Sequence, residues 1–306
     1  MGSKGTDVTR DRPVDAVVVL YHPDAAMLSA VLEAVAPQVD RLLLVANDGA
    51  SPPVPLPQKA TVIRSDKNLG LGAAYNLAAE WAQAGGATHL LLLDQDSVPA
   101  PGMVEALMDA FGSHGPLAAA GPLWRDARTG RDGFFVRFSP WGVHSFCPPD
   151  GGIVPVDFLI SSGSLIALSA LDKIGKFDEG LFIDHVDTDW CLRARAHGFR
   201  LCGVGRARLN HTFGEATLSM GPGASYRFVL YSPERNHTLV RNSIVLWRRP
   251  YAPWRWILYD VRRTLLIVLF NILFAPPRKD RIRQIAWAVR DALTSGAATR
   301  TGKMEN

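Results

Sequence analysis

The chain has 306 residues, 47% of them hydrophobic and 20% charged. That composition excludes a disordered, collagen-like or disulfide-scaffold protein, and the length permits one large domain or a domain with an appendage. A formal net charge of +4 is too small to imply a nucleic-acid partner by itself. Residues 1–13 are polar and carry no apolar h-region, so a flexible N-terminus without a secretory signal is expected. Residues 14–21 (VDAVVVLY) and 41–46 (RLLLVA) read as strands buried on both faces of a parallel sheet. Between them, Asp24 can cap a helix whose apolar positions Met27, Leu28, Val31, Leu32 and Val35 recur at helical spacing. The turn at Asn47, Asp48 and Gly49 leads into a Pro-rich loop, a short strand at 61–64 and a helix at 69–84. A strand at 89–93, a helix at 101–111 and a strand at 117–121 continue the alternation that marks an α/β domain. Residues 123–155, rich in Gly, Pro and aromatics, carry no clear period. A strand over 156–167 is interrupted by Ser161, Ser162 and Gly163, and a helix at 187–197 precedes a strand at 199–204. Near residues 221–223 the character changes, and Arg-rich, Trp-rich helical segments follow from Tyr226.

Four segments carry chemistry. In LLLLDQDSVP (90–99) a buried strand delivers Asp94 and Asp96 to its C-terminal edge, where open α/β sheets bind ligands. The two carboxylates can share a divalent cation, or divide a metal and a sugar hydroxyl between them. They could also be an acidic strand end before a Pro-led helix. In NLGLGAAYN (68–76) the glycines permit close backbone approach to a ligand, or simply enter a helix; Tyr75 stands where a dinucleotide fingerprint needs its third Gly. Asp178, Glu179, Asp184, Asp187 and Asp189 fall within 12 positions. Some serve as caps and dipole partners, Asp189 among them, but their mutual repulsion also suits a general base. His211, in HTFG, follows a strand.

These motifs occur in the order NLGLG, DQDS, SSG, FDEGLFIDHVDTDWCLRA (177–194) and HTFG. Together they resemble glycosyltransferase family 2, and within it the bacterial rhamnosyltransferases of rhamnolipid, O-antigen and capsule assembly. The resemblance covers residues 15–247. It implies a GT-A fold, Rossmann-like, over residues 14–225, with 226–306 as a basic helical extension. Tyr21, Asn47, Asp48, Asn68 and Gly70 would line the nucleotide pocket, with Ala46 where family members often carry an acid and Asp48 as its substitute. Asp94 would face the ribose. Asp96 and His211 would hold Mg²⁺ or Mn²⁺ beside the diphosphate. Asp187 would be the catalytic base, with Val186 in place of the usual Glu. Arg241 would clamp phosphate, while Ser162, Gly163 and Asp184 would meet the acceptor. A single in-line displacement with one base inverts the anomeric carbon, and the cation neutralises the leaving diphosphate. The implied reaction moves L-rhamnose from dTDP-L-rhamnose to a lipid-linked or glycolipid acceptor in polysaccharide or rhamnolipid biosynthesis.

Three other readings compete: a UDP-hexose donor in the same family, a haloacid-dehalogenase-type phosphatase built on DQDSV, and a non-catalytic relative that keeps the fold. The phosphatase would also need a downstream Ser/Thr and a Lys.

Dividing the chain at Tyr226 resolves the charge. Residues 226–306 hold 15 basic and five acidic residues, a net of +10, and residues 1–225 hold 18 against 24, a net of −6. Trp247, Trp254, Trp256 and Trp287 share the basic tail. Its longest apolar run, 264–277, is 14 residues, shorter than the ~20 a spanning helix needs. Interfacial helices on the cytoplasmic face of a bacterial inner membrane are the expectation. Helices packed on the domain with a solvated basic face are the alternative, and nucleic acid is not an expected partner. Cys147, Cys191 and Cys202 cannot all pair and show no CxxC spacing, which fits a reducing compartment.

Overall fold

A computed structural model describes residues 12–113, 116–139, 142–148, 151–211, 217–220 and 226–298. Most of the expected flexible N-terminus, the boundary at 221–223 and the tail beyond 298 lie outside the described residues.

The first half alternates as its sequence suggests. β1 (Val14–Leu20), α1 (Ala25–Val35), β2 (Arg41–Ala46), β3 (Ala60–Arg64), α2 (Gly70–Ala84), β4 (His89–Asp94), β5 (Ser97–Pro99) and α3 (Met103–Ser113) follow in order. Asp24 caps α1 by accepting from the Met27 amide at 2.9 Å. The second half adds β6 (Leu117–Asp126), β7 (Phe135–Ser139), β8 (Gly142–Phe146), β9 (Ile153–Val156), β10 (Leu165–Ala167), α4 (Leu168–Ile174), α5 (Val186–Ala196) and β11 (Arg200–His211). A short pair, β12 (Thr217–Met220) and β13 (Tyr226–Val229), precedes α6 (Pro233–Trp247), α7 (Trp254–Phe274) and α8 (Arg278–Ala298).

The main sheet runs β3-β2-β1-β4-β10-β6-β11-β5, with β9 also paired to β11. Strands β3, β2, β1 and β4 are mutually parallel, as are β6 and β11; β10, β5 and β9 pair antiparallel. Every residue of β1 is buried, because both sheet faces are covered. Val17 and Val19 face a core shared with α2, α4 and α5. Ala16, Val18 and Leu20 face one shared with α1 and α3.

Two expectations are corrected. The unassigned 123–155 stretch contains the β7–β8 hairpin and β9, whose short strands are too aromatic and Pro-interrupted to show a period. The single strand over 156–167 is two, because residues 157–164 leave the sheet and pass beneath the DQDS turn: the Gly163 amide donates to the Leu92 carbonyl at 2.7 Å.

The C-terminal helices α6 and α7 pack on the domain, and α8 packs on those two helices. α6 runs along α8, and α7 lies against β8. They do so with the wrong faces by ordinary rules. α7 buries Asp260, Thr264 and Asn271 alongside Trp256 and Phe270, whereas Leu258, Leu265, Leu266, Leu269 and Leu273 are 49% to 64% exposed. α8 buries Arg281, Ala288 and Ala292 and exposes Ile282, Val289 and Leu293. Among the described residues, no helix is long and apolar enough to cross a membrane.

Candidate active site

β4 ends at Asp94 and β5 begins at Ser97, so DQDS turns at the C-terminal edge of the parallel strands. β5 pairs with the end of β11, which sets Ser97 opposite His211. This register brings a histidine from far along the chain to the two acids. Asp94, Asp96 and His211 offer ligand atoms all within 4.8 Å of one another. A hydrogen-bond chain stiffens the turn from below. The Asp94 amide donates to Ser162 Oγ (3.1 Å), Ser162 Oγ donates to Ser97 Oγ (2.7 Å), and Ser97 Oγ meets His211 Nδ1 (2.6 Å).

Burial lowers the His211 pKa against the opposing charge of Asp96, favouring the neutral imidazole that ligates metals. Burial raises Asp96, with His211 opposing. Asp94 is pushed up to about 7, first by burial and then by the charges of Asp96 and Asp187. Two carboxylates and an imidazole this close fit a divalent cation. The oxygens suit Mg²⁺, and the added nitrogen accommodates Mn²⁺.

The acidic segment 178–187 is held against this turn by two helices. From α2, Asn76 donates to the Phe177 carbonyl (3.0 Å) and to Glu179 (2.8 Å), and accepts from the Phe177 amide (2.9 Å). The Leu71 amide donates to the Phe182 carbonyl at 2.6 Å. Gly70 has φ +79°, and a Cβ there would stand 2.6 Å from that carbonyl oxygen. One on Gly72 would stand 2.9 Å from the Asp178 oxygen. The glycines of NLGLG thus admit the chain's own acidic segment as well as bordering the cavity, a closer approach than the ligand contact expected of them. From α6, Asn242 Nδ2 donates to the carbonyls of Leu181 (2.7 Å), Ile183 (2.7 Å) and Asp184 (2.9 Å). So held, Phe182, Asp184 and His185 keep positive φ angles of 63°, 52° and 65°, a conformation that costs about 1–3 kcal/mol per non-glycine residue and persists only when the surroundings enforce it. Asp187 follows in the first turn of α5. Its Oδ2 accepts from the Ser161 amide (3.1 Å) and its Oδ1 from the Thr188 amide (2.7 Å). Burial raises its pKa, as a general base requires.

Asp94, Asp96, His211 and Asp187 line one cavity of about 560 Å³, together with Tyr21, Asn47, Asn68, Gly70, Ser162 and Asp184. That volume lies within the ~300–1,000 Å³ of small-molecule sites. Asn47 Nδ2 donates to the Gly70 carbonyl at 3.4 Å, while its buried Oδ1 has no protein partner.

Other expected residues have different work. Asp48 does not line the cavity; its carboxylate accepts from the Ala50 amide within its own turn (3.0 Å) and from the His22 amide just past β1 (2.8 Å). Arg241 donates to the Gly180 carbonyl at 2.6 Å and to Asn242 at 2.9 Å, outside the cavity lining, because α6 points it at the acidic segment. Gly163 packs against Pro122 and Leu209 below the turn. Ser162 gives its hydroxyl to the chain under DQDS, and Asp184 binds Arg235 through both oxygens (3.1 and 2.9 Å). Asp189 is more than a helix cap. It is fully buried and holds Arg193 at 2.8 Å and the Tyr251 hydroxyl.

Sequence reading missed several neighbours. Gln95 ties the end of β1 to the DQDS turn, accepting from the Tyr21 amide (2.7 Å) and donating to its carbonyl (3.0 Å). The buried Tyr75 hydroxyl lies beside Asp94. Arg235 and Arg263 are the guanidinium groups lining the cavity among the described residues. Gln95 lay inside a motif already singled out; the two arginines had no local signal among many in the tail. Among the described residues, no lysine lines the cavity.

Residues 17–142 match the family model of glycosyl transferase family 2. The chain is 24% identical over 272 residues to the dTDP-rhamnosyl transferase RfbF of Shigella flexneri, covering 87% of this chain and 90% of that protein. In fold it is similar to GalNAc-T7, solved with UDP, GalNAc and Mn²⁺ (TM-score 0.57, 14% identity, 94% of this chain, 57% of that one). It is also similar to residues 1–349 of S. aureus TarS (TM-score 0.50, 13% identity, 86% of this chain, 72% of that one). The chain thus spans little more than half of the GalNAc-T7 chain.

Proposed function

We propose that this chain, a glycosyltransferase carrying a family 2 domain on a GT-A fold, transfers L-rhamnose from dTDP-L-rhamnose to a lipid-linked or glycolipid acceptor, with inversion. The observation that carries the mechanism is the meeting of Asp94, Asp96, His211 and Asp187 in one cavity. The similarity to a dTDP-rhamnosyl transferase along most of both chains supports the donor. Asn47 Oδ1 is a free buried acceptor for an imide N–H of the base. Asn68 and Gly70 border the same end, and Asp94 faces the ribose. Asp96 and His211 would hold Mg²⁺ or Mn²⁺, with Asp94 close enough to join them. When bound, the cation supplies positive charge beside the departing diphosphate. Asp187, oriented by the Ser161 and Thr188 amides, takes the proton of the acceptor hydroxyl as its oxygen bonds to the anomeric carbon and the bond to the diphosphate breaks. Arg235, fixed by Asp184, takes over the positive role first expected of Arg241.

A UDP-hexose donor is the second reading, because thymine and uracil present the same imide N–H to Asn47. A thermal-shift series with dTDP- and UDP-sugars separates the two. Asp96→Ala and Asp187→Asn should each lower turnover of dTDP-L-rhamnose by orders of magnitude with the fold intact. Undiminished turnover in both would overturn the mechanism.

The acceptor and the location form one argument. α7 and α8 present leucines outward, and Arg262, Arg278, Arg283 and Arg290 are exposed on the same helices. Apolar side chains flanked by basic ones favour an anionic bilayer surface. We place the enzyme on the cytoplasmic face of a bacterial inner membrane, where a lipid-borne saccharide would be presented, in surface polysaccharide or rhamnolipid synthesis.

A further inference from the structure

A second cavity, of about 290 Å³, lies between α7, the strand β7 that carries Phe135, and the segment 157–164 that carries Leu159. Its wall includes Pro122, Phe135, Val136, Phe138, Leu159 and Trp256. Such a wall offers few partners to sugar hydroxyls, whose burial without hydrogen bonds is unfavourable, and suits hydrocarbon.

The two cavities are neighbours. Phe158, Ile160, His185, Thr188 and Arg263 line both. Thr188 is adjacent in sequence to Asp187 and bonded to it, so the shared wall reaches the proposed base. Among the described residues, Arg263 is the only Arg or Lys common to the two linings. Its Nη1 is 3.4 Å from Asp260 Oδ1, while Asp260 Oδ2 accepts from Trp247 at 2.9 Å, so the guanidinium is tethered by a carboxylate that is itself fixed. At the other rim, Tyr259 lines the cavity and is 43% exposed. It adjoins Leu258 on the outward face of α7. The cavity therefore joins the donor site to the apolar outer surface, with one cation at the junction.

We propose that this cavity is the acceptor's hydrocarbon site. It holds the part of the chain nearest the head of an amphiphilic acceptor, and Arg263 receives the anionic phosphate that links head to chain. The saccharide hydroxyl is thereby set at Asp187. This assignment rests on the glycosyltransferase reading for the identity of the head, and charge complementarity with continuity to the donor cavity argues for the occupant.

The test uses the full chain and three probes: octyl phosphate, 1-octanol and inorganic phosphate, with dTDP titrated in parallel. Octyl phosphate should bind more tightly than either half alone. Val136→Trp, which fills the cavity, should weaken octyl phosphate by about tenfold or more with dTDP affinity unchanged. Arg263→Gln should weaken octyl phosphate by about tenfold and leave 1-octanol unaffected. Should Val136→Trp fail to fold, photolabelling of the unsubstituted chain by a diazirine-bearing octyl phosphate replaces it. Label within 134–138 and 254–263, displaced by octyl phosphate, supports the site. Equal binding of inorganic phosphate and octyl phosphate overturns the proposal, as does insensitivity to Val136→Trp or label confined to the outer face of α7 and α8. Loss of dTDP binding with octyl phosphate behaving as expected would count against the donor reading and leave the cavity assignment standing.

Discussion

Asp94, Asp96 and Asp187 surround one cavity, and burial raises the pKa of each. A carboxylate must be deprotonated to ligate a metal, so protons and cations compete there. With Asp94 at about 7, its protonated fraction grows as the pH falls through that value. Mn²⁺ affinity, read by calorimetry or electron paramagnetic resonance, should therefore fall by up to about tenfold per pH unit below about 7. Asp94→Asn should flatten that dependence. An affinity unchanged between about pH 8 and about pH 6 would exclude Asp94 from the cation's surroundings. Chain order carried part of this site: Asp94 and Asp96 are two residues apart at a strand end. His211 became their neighbour only through the antiparallel register of β5 and β11.

At the scale of elements, the acidic segment is strained and clamped between α2 and α6. Asn242 supplies three hydrogen bonds to it from one buried amide. Asn242→Ala would leave those carbonyls short of donors and release the positive-φ residues. The expected cost is about 2–4 kcal/mol in denaturant unfolding. Turnover should fall while dTDP affinity, which depends on Asn47 and Asn68 rather than on the carbonyls Asn242 holds, is retained. Equal loss of both would mean that α6 supports the whole cavity. The density of acids in 178–189 was visible in the sequence. What presses them inward was not, because Gly70, Gly72, Asn76, Arg241 and Asn242 lie far away along the chain and none has a periodic signature.

Across the whole molecule, a net charge of +4 conceals an acidic catalytic portion and a basic tail. The tail buries Asp260 beside His185 of the domain, buries Asn271 and Arg281 within itself, and turns leucines outward. Under the proposed membrane role, the protein should sediment with anionic phospholipid vesicles, weakly with neutral ones, and less as salt rises. Leu265→Glu with Leu269→Glu should abolish that binding. Because both side chains are more than half exposed, thermal stability should change little, within about ±0.5 kcal/mol per site. Vesicle binding that survives the pair would remove α7 from the interface.

Alternating strands and helices, the acids at the end of β4, the helix cap at Asp24 and the basic tail were all determined by the sequence alone. Each is written in adjacent residues or in a short period, so local sterics and hydrophobic spacing suffice. Folding decided the rest. It paired β5 with β11 to bring His211 to the acids, and it turned Arg241 to the chain's own carbonyls while Arg235 and Arg263 entered the cavity. It also placed the apolar face of α7 outside. Those outcomes depend on contacts between residues remote in the chain, and on which face of a helix the domain covers. Composition and periodicity contain neither.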